Sequence, residues 1–424
     1  MAAPGTATRA CRRHRRRDSL AACTTCAAPM CSECIVQTRV GFKCSACTGG
    51  TPAGRRPSGR RLVVATATVA VVGAGLLLSR VVGGGQAEDP AGSPAPATSA
   101  GSLERPVQFE GAGGLTLGAT LGLPPGAGVG DDRPGVVILP GFGPTDRNGL
   151  YPPGRPADPL YGDLSTALLD EGMVTFRYDK RGTGQSVLPP GEALRLDDMV
   201  ADAAAAVDFL VDRAEVSPER IAVVGHEEGG LVALRLAASD PRIAGVVLVS
   251  VPGRPLVEVV AEDFRNAGHG EDVERLDSVV AGLLAGEELP AADTLPESLR
   301  DFFPAEQQQY LRDIFSVDPL QAARDVDVPA LVIRGERATG VSAVDADALV
   351  AALGDDAQAI AVPDAGHTLA RVPAADEAAP ATDDHGEALG SAGDGHPGSA
   401  GTGGGQRHEG ALARIREFLA SVLA

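Results

Sequence analysis

Short apolar runs alternate with amphipathic stretches over most of the chain beyond residue 106. The runs at 115–123, 135–139 (GVVIL), 173–178 (MVTFRY), 220–225 (RIAVVG), 243–250, 330–334 and 358–362 are five to nine residues long and rich in Val, Ile, Leu and Ala, as strands are. Between and after them, 160–170, 197–211, 228–238, 342–353 and 411–423 space their apolar residues as helices do. Strands that read as unbroken apolar runs are buried on both faces. The pattern therefore predicts a mostly parallel sheet with helices on both sides, in a domain spanning 106–372. The alternation stops between 254 and 324, where helical segments such as 301–315 (DFFPAEQQQYLRDIF) stand where a lid would sit. Residues 373–409 are poor in apolar side chains and read as a disordered insertion, and 410–424 as the domain's terminal helix.

Ahead of this domain the pattern changes. Residues 62–79 (LVVATATVAVVGAGLLLS) carry no charge and would extend about 27 Å as a helix, roughly one hydrocarbon core. A basic juxtamembrane segment, 51–61, precedes them with Arg55, Arg56, Arg60 and Arg61. This predicts a single transmembrane helix in the lipid bilayer, with the N-terminus cytoplasmic and the large domain extracytoplasmic. The Gly-, Pro- and Ser-rich stretch 80–105 reads as a flexible tether.

Composition adds two constraints. Hydrophobic residues make up 44% of the chain but aromatics only 3%, with no Trp, so the core is expected to be Ala, Val and Leu. Residues 1–61 hold twelve Lys and Arg against two Asp and Glu, while the rest holds twenty-five against fifty-four, within a net charge of −19. The two ends are thus suited to different surroundings, and a body this acidic is a poor partner for nucleic acid.

All seven cysteines fall between Cys11 and Cys47. With one histidine they make four pairs: Cys11 and His14, Cys23 and Cys26, Cys31 and Cys34, Cys44 and Cys47. Each two-residue gap aims two side chains at one ion, so eight ligands predict two structural Zn2+ ions within residues 1–50, which would supply much of that module's folding energy. The segment resembles B-box-like zinc fingers found at the cytoplasmic ends of some membrane proteins. The resemblance implies docking to a cytoplasmic protein partner.

In the large domain, Gly225-His226-Glu227-Glu228-Gly229-Gly230 follows a strand and opens a helix, the setting of the nucleophile elbow G-x-S-x-G. Glu227 stands where that motif has serine. The histidine expected after the last strand is His367, in PDAGH at 363–367. The acid expected after the 330–334 strand falls on Ala338, with Glu336 and Asp364 nearby in sequence.

From Leu115 to Leu369 the chain resembles α/β-hydrolases of the carboxylesterase and serine aminopeptidase-like type. The residues that carry the resemblance are LPGFGPTDRNG at 139–149, Tyr178-Asp179-Lys180-Arg181-Gly182, the elbow, and the VDP…VPALVIRGE stretch at 317–336. It implies the α/β-hydrolase fold, no cofactor for this domain, and an oxyanion hole formed by the amides of Phe142 and Glu228. With Glu227 for serine and Ala338 for the acid, two of three triad positions are altered and only His367 is kept. The expectation is a pseudo-hydrolase that binds or senses a small-molecule or peptide ligand. The alternative is an active hydrolase of ester-type substrates that uses Glu227 as nucleophile or base with His367.

Overall fold

The computed structural model describes residues 101–149, 159–300, 302–372 and 407–424, with the backbone of four short strands in the first fifty residues. Those strands pair antiparallel, Ala21–Ala22 with Pro29–Met30 and Ile35–Thr38 with Gly41–Cys44. The side chains of the expected zinc ligands, the 62–79 run and most of the tether and insertion lie outside the described residues. Among the described residues no helix is long and apolar enough to cross a membrane.

Eight strands form one sheet: β1 (Leu103–Glu110), β2 (Thr116–Leu123), β3 (Arg133–Leu139), β4 (Val174–Tyr178), β5 (Val216–His226), β6 (Ile243–Val249), β7 (Ala330–Gly335) and β8 (Ala357–Val362). Their spatial order is β8-β7-β6-β5-β3-β4-β2-β1. Neighbours are parallel from β8 to β4, and β2 runs against both β4 and β1.

The two faces are read directly from side-chain alternation. On β3, Val137 and Leu139 join the larger core, and Val136 and Ile138 the other. The first is covered by α2 (Leu196–Val211) and α3 (Glu228–Ala237), the second by α1 (Leu160–Asp170) and α10 (Glu409–Val422). Between β6 and β7 lie α4 (Leu256–Asn266), α5 (Val273–Leu284), α6 (Glu297–Arg300), α7 (Gln308–Phe315) and α8 (Pro319–Arg324). α7 docks its polar edge on the main body. Asp313 accepts from Arg195 Nε at 2.7 Å and from the amide of Leu196, the first residue of α2, at 3.3 Å. A carboxylate suits that positive helix end. A last helix, α9 (Ala343–Leu353), follows β7 and is closed by a Ser342–Asp345 capping box.

Two boundaries differ from the sequence reading. The domain begins in β1, which takes residues 103–105 from the expected tether. β1 is an edge strand whose only buried residue is Phe109, so it lacks the apolar run that marks its neighbours. At the other end, residues 407–409 belong to the folded domain and not to the insertion. Arg407 bonds Asp163 at 2.9 Å, and the His408 amide donates to the Leu369 carbonyl.

Candidate functional site

β5 ends at His226 and α3 begins at Glu228, so the direction change falls on Glu227. Its φ of 48° and ψ of −115° are a strained conformation for a residue with a side chain. Two features hold it there. The Glu227 amide donates to the Val249 carbonyl of neighbouring β6 at 3.1 Å. The elbow helix also packs hard against the end of β3: a β-carbon on Gly229 would stand 2.5 Å from the Leu139 carbonyl oxygen, so only glycine fits.

The turn aims the Glu227 carboxylate inward, and its side chain is 11% exposed. Oε1 lies 2.6 Å from Nε2 of His367, and Oε2 accepts the Phe142 amide at 3.0 Å. The other His367 nitrogen, Nδ1, faces the Thr339 carbonyl at 3.2 Å. A carbonyl only accepts, so Nδ1 carries a proton. Nε2 faces an ionised carboxylate at hydrogen-bond distance, so it carries one as well. Burial pushes the Glu227 carboxyl up, but the charges of His226 and His367, the His367 hydrogen bond and the Phe142 amide together hold it at about 2. Burial pushes His367 down, yet the Glu227 charge and hydrogen bond, with the Thr339 carbonyl and Asp263, leave it raised. With Nδ1 on the Thr339 carbonyl and Nε2 on Glu227, the geometry suits an imidazolium facing a carboxylate.

Such an imidazole has no lone pair with which to take a proton from a nucleophile. The Phe142 amide, which the resemblance assigned to the oxyanion hole, is engaged by Glu227. Glu228 does not cap α3 with its side chain. Its fully buried carboxylate accepts from Lys180 Nζ at 2.7 Å and from Tyr310 Oη of α7, which ties elbow to lid. Lys180 also donates to the Gly141 carbonyl at 2.6 Å, next to Phe142. Ala338 lies just beyond β7, and neither nearby acid takes its place. Glu336 is exposed, and Asp364 is turned outward to Arg337 at 2.8 Å. The Thr339 carbonyl is the group that orients His367.

A family model described as serine aminopeptidase, S33, matches residues 159–267, from the start of α1 into the lid. An uncharacterized protein of Pseudomonas aeruginosa, PA2218, is 35% identical over 145 residues, 34% of this chain and 35% of that one. A putative carbamate hydrolase, RutD, of Variovorax paradoxus is 39% identical over 90 residues, 21% of this chain and 32% of that one. The chain thus spans about a third of the length of these relatives. The crystal structure of PA2218 superimposes with a TM-score of 0.47 at 23% identity, covering 64% of this chain and 88% of that one. This chain's own sheet order and elbow and the segment matched by the family model point to one fold. The fold is that of the α/β-hydrolases.

Within this α/β-hydrolase fold, His226 and the Asp179-Lys180-Arg181 group take structural contacts around the elbow, while Tyr161 and Asp263 are partners the sequence did not single out. His226 packs edge-on against His367, with ring centroids 5.3 Å apart, and its Nδ1 lies 3.1 Å from Tyr161 Oη of α1. Tyr161 Oη in turn accepts the Gly141 amide at 2.8 Å. From the lid, Asp263 of α4 brings a second carboxyl within electrostatic reach of both His367 and Glu227. Burial pushes that carboxyl up to about 6. The Asp179-Lys180-Arg181 group forms ion pairs at the turn, with Arg181 on Asp202 at 2.7 Å. His226, Glu227 and His367 place three donor atoms, two nitrogens and an oxygen, close enough to share an ion.

Proposed function

We propose that this domain is a pseudo-hydrolase: it keeps the α/β-hydrolase scaffold and uses the elbow region for binding or sensing, without ester hydrolysis. The observation that carries the reading is the double engagement of Glu227. Its two oxygens hold the histidine that a serine would need as base and an amide that a substrate oxyanion would need. Glu227 and Ala338 are then altered triad positions, with His367 retained as a binding residue. We assign 62–79 as a membrane span that leaves this domain outside the cytoplasm. On the other side, the two-zinc module would dock a cytoplasmic protein, with Zn2+ held by Cys11, His14, Cys23, Cys26, Cys31, Cys34, Cys44 and Cys47.

The name of the relative RutD, a putative carbamate hydrolase, points to the chemistry from which this pocket departed. The test is to restore a serine and an acid at the triad positions in the full chain. Glu227→Ser with Ala338→Asp should hydrolyse short p-nitrophenyl esters and label with a fluorophosphonate, while the unaltered chain does neither. Equal hydrolysis by both proteins would favour the alternative, in which Glu227 is itself nucleophile or base.

A further inference from the structure

The proton on Nε2 of His367 occupies a place that suits a metal ion. One nitrogen of His226, one of His367 and one oxygen of Glu227 lie within 4.8 Å of one another, and all three residues are buried. Two imidazoles and a carboxylate are the donors that zinc and its neighbours favour, whereas magnesium and calcium favour all-oxygen sets. The surrounding hydrogen bonds are also those that orient metal ligands. The Thr339 carbonyl engages Nδ1 of His367 at 3.2 Å, which turns Nε2 toward Glu227. Tyr161 Oη holds Nδ1 of His226 at 3.1 Å. The loop beside the cluster is glycine where it must be: a β-carbon on Gly141 would stand 2.3 Å from Glu227 Oε2 and 2.8 Å from His226 Nδ1. A second carboxylate supplies further negative charge. Asp263 Oδ2 is buried without a hydrogen-bond partner among the described residues, and its charge acts on both His367 and Glu227.

We propose that His226, Glu227 and His367 bind one divalent transition-metal ion, zinc being the ion the donor set fits best. The Glu227–His367 contact is the metal-free form. This deepens the binding reading above and rests on it, since the ligand of the pocket becomes the ion. The exchange balances: Zn2+ takes the Nε2 lone pair of His367, and the proton from that nitrogen leaves to solvent. Bonds of about 2.0–2.2 Å set tetrahedral ligand atoms about 3.4 Å apart. The 2.6 Å contact must therefore open and the widest separation close, through rotation of the Glu227 and histidine side chains. Three protein ligands leave a fourth position for water or an anionic ligand atom.

The test compares zinc content in the full chain, stripped with chelator, equilibrated with zinc and desalted. The N-terminal cysteine pairs are the same in every variant, so differences report the elbow cluster. Wild type should hold one equivalent more than His226→Gln and one more than His367→Gln. With cobalt as probe, the spectrum lost on substitution should lack thiolate charge-transfer bands. If a histidine variant does not fold, Glu227→Ser removes a ligand while giving the elbow its usual residue, and it should lose the same equivalent. Equal metal content in wild type and the folded variants would overturn the site and leave the binding reading standing. A missing equivalent together with ester hydrolysis by the zinc-loaded wild type would uphold the site and overturn the binding reading.

Discussion

Nε2 of His367 stands 2.6 Å from Oε1 of Glu227, both groups buried, at the point where a hydrolase of this fold would hold a neutral imidazole against a hydroxyl. A serine hydroxyl and an imidazole exchange one proton during a reaction. In a carboxylate–imidazolium pair the proton stays on the imidazolium, because each group stabilises the charge of the other. Glu227 therefore gives the site a different resting charge state from the one a serine at the elbow would give.

That charge state predicts a pH window. Glu227 titrates lower in the folded chain, at about 2 against an ordinary 4.5, so its contribution is present above pH 4.5 and is lost as pH falls toward 2. His367 titrates higher than its ordinary 6.5, so its contribution is complete below pH 6.5 and is lost as pH rises through the folded value. The pair thus stabilises most between about pH 4.5 and 6.5. Wild type should exceed Glu227→Gln by about 1–3 kcal/mol in that window, after desolvation of the pair is subtracted. Denaturant unfolding at a series of pH values checks this; a difference that stays flat from pH 3 to 8 would contradict the ion pair.

Asp364 is the acid nearest in sequence to His367, and its geometry predicts that it does nothing there. It is 54% exposed and bonds Arg337, itself 40% exposed. Such a surface pair contributes about 0–0.5 kcal/mol. Asp364→Asn should leave stability unchanged within that margin, and the His367 ring resonances followed by NMR should titrate as in wild type. A displaced His367 titration would mean that Asp364 serves as the missing acid after all.

Much of this fold was legible because parallel strands buried on both faces are written as apolar runs. RIAVVG became β5 and GVVIL became β3, and the glycines after RIAVVG marked the elbow. β1 was hidden because an edge strand with Pro106 and a single buried side chain, Phe109, carries no such run. His367 was found from its place after the last strand. Its orienting partner was not, because the Thr339 carbonyl is a backbone group that any sequence would supply. Asp263 and Tyr310 were missed for another reason. Both sit on amphipathic lid helices, where a polar residue reads as part of a solvated face until the helix is docked.

The close approach of α3 to β3 gives a prediction at Gly229. A methyl group there would meet the Leu139 carbonyl at 2.5 Å and the Pro140 carbonyl at 2.7 Å, and main chain cannot rotate away. Gly229→Ala should cost about 3 kcal/mol or more, or prevent folding. Gly128→Ala is the control, since its β-carbon would meet nothing nearer than 3.9 Å. Chemical denaturation of both variants should separate them by at least about 2 kcal/mol.

Glu228 couples the elbow to the lid, and the coupling can be dissected. Its carboxylate is fully buried between Lys180 Nζ at 2.7 Å and Tyr310 Oη. Removing Tyr310 Oη leaves one carboxylate oxygen short of a donor, so Tyr310→Phe should cost about 1–3 kcal/mol. Lys180→Met removes the only cation paired with Glu228 in the described structure and frees the Gly141 carbonyl as well, so it should cost more, about 3–5 kcal/mol. Glu228→Gln retains the shape but discards the charge, and it should relieve much of the penalty of Lys180→Met when the two are combined. The double-mutant cycle should then return a coupling above about 1 kcal/mol. Additive losses would mean that Lys180 acts through the Gly141 carbonyl alone. In that case the lysine would secure the Phe142 loop independently of the lid, and lid docking would depend on Tyr310 and the Asp313 contact to α2.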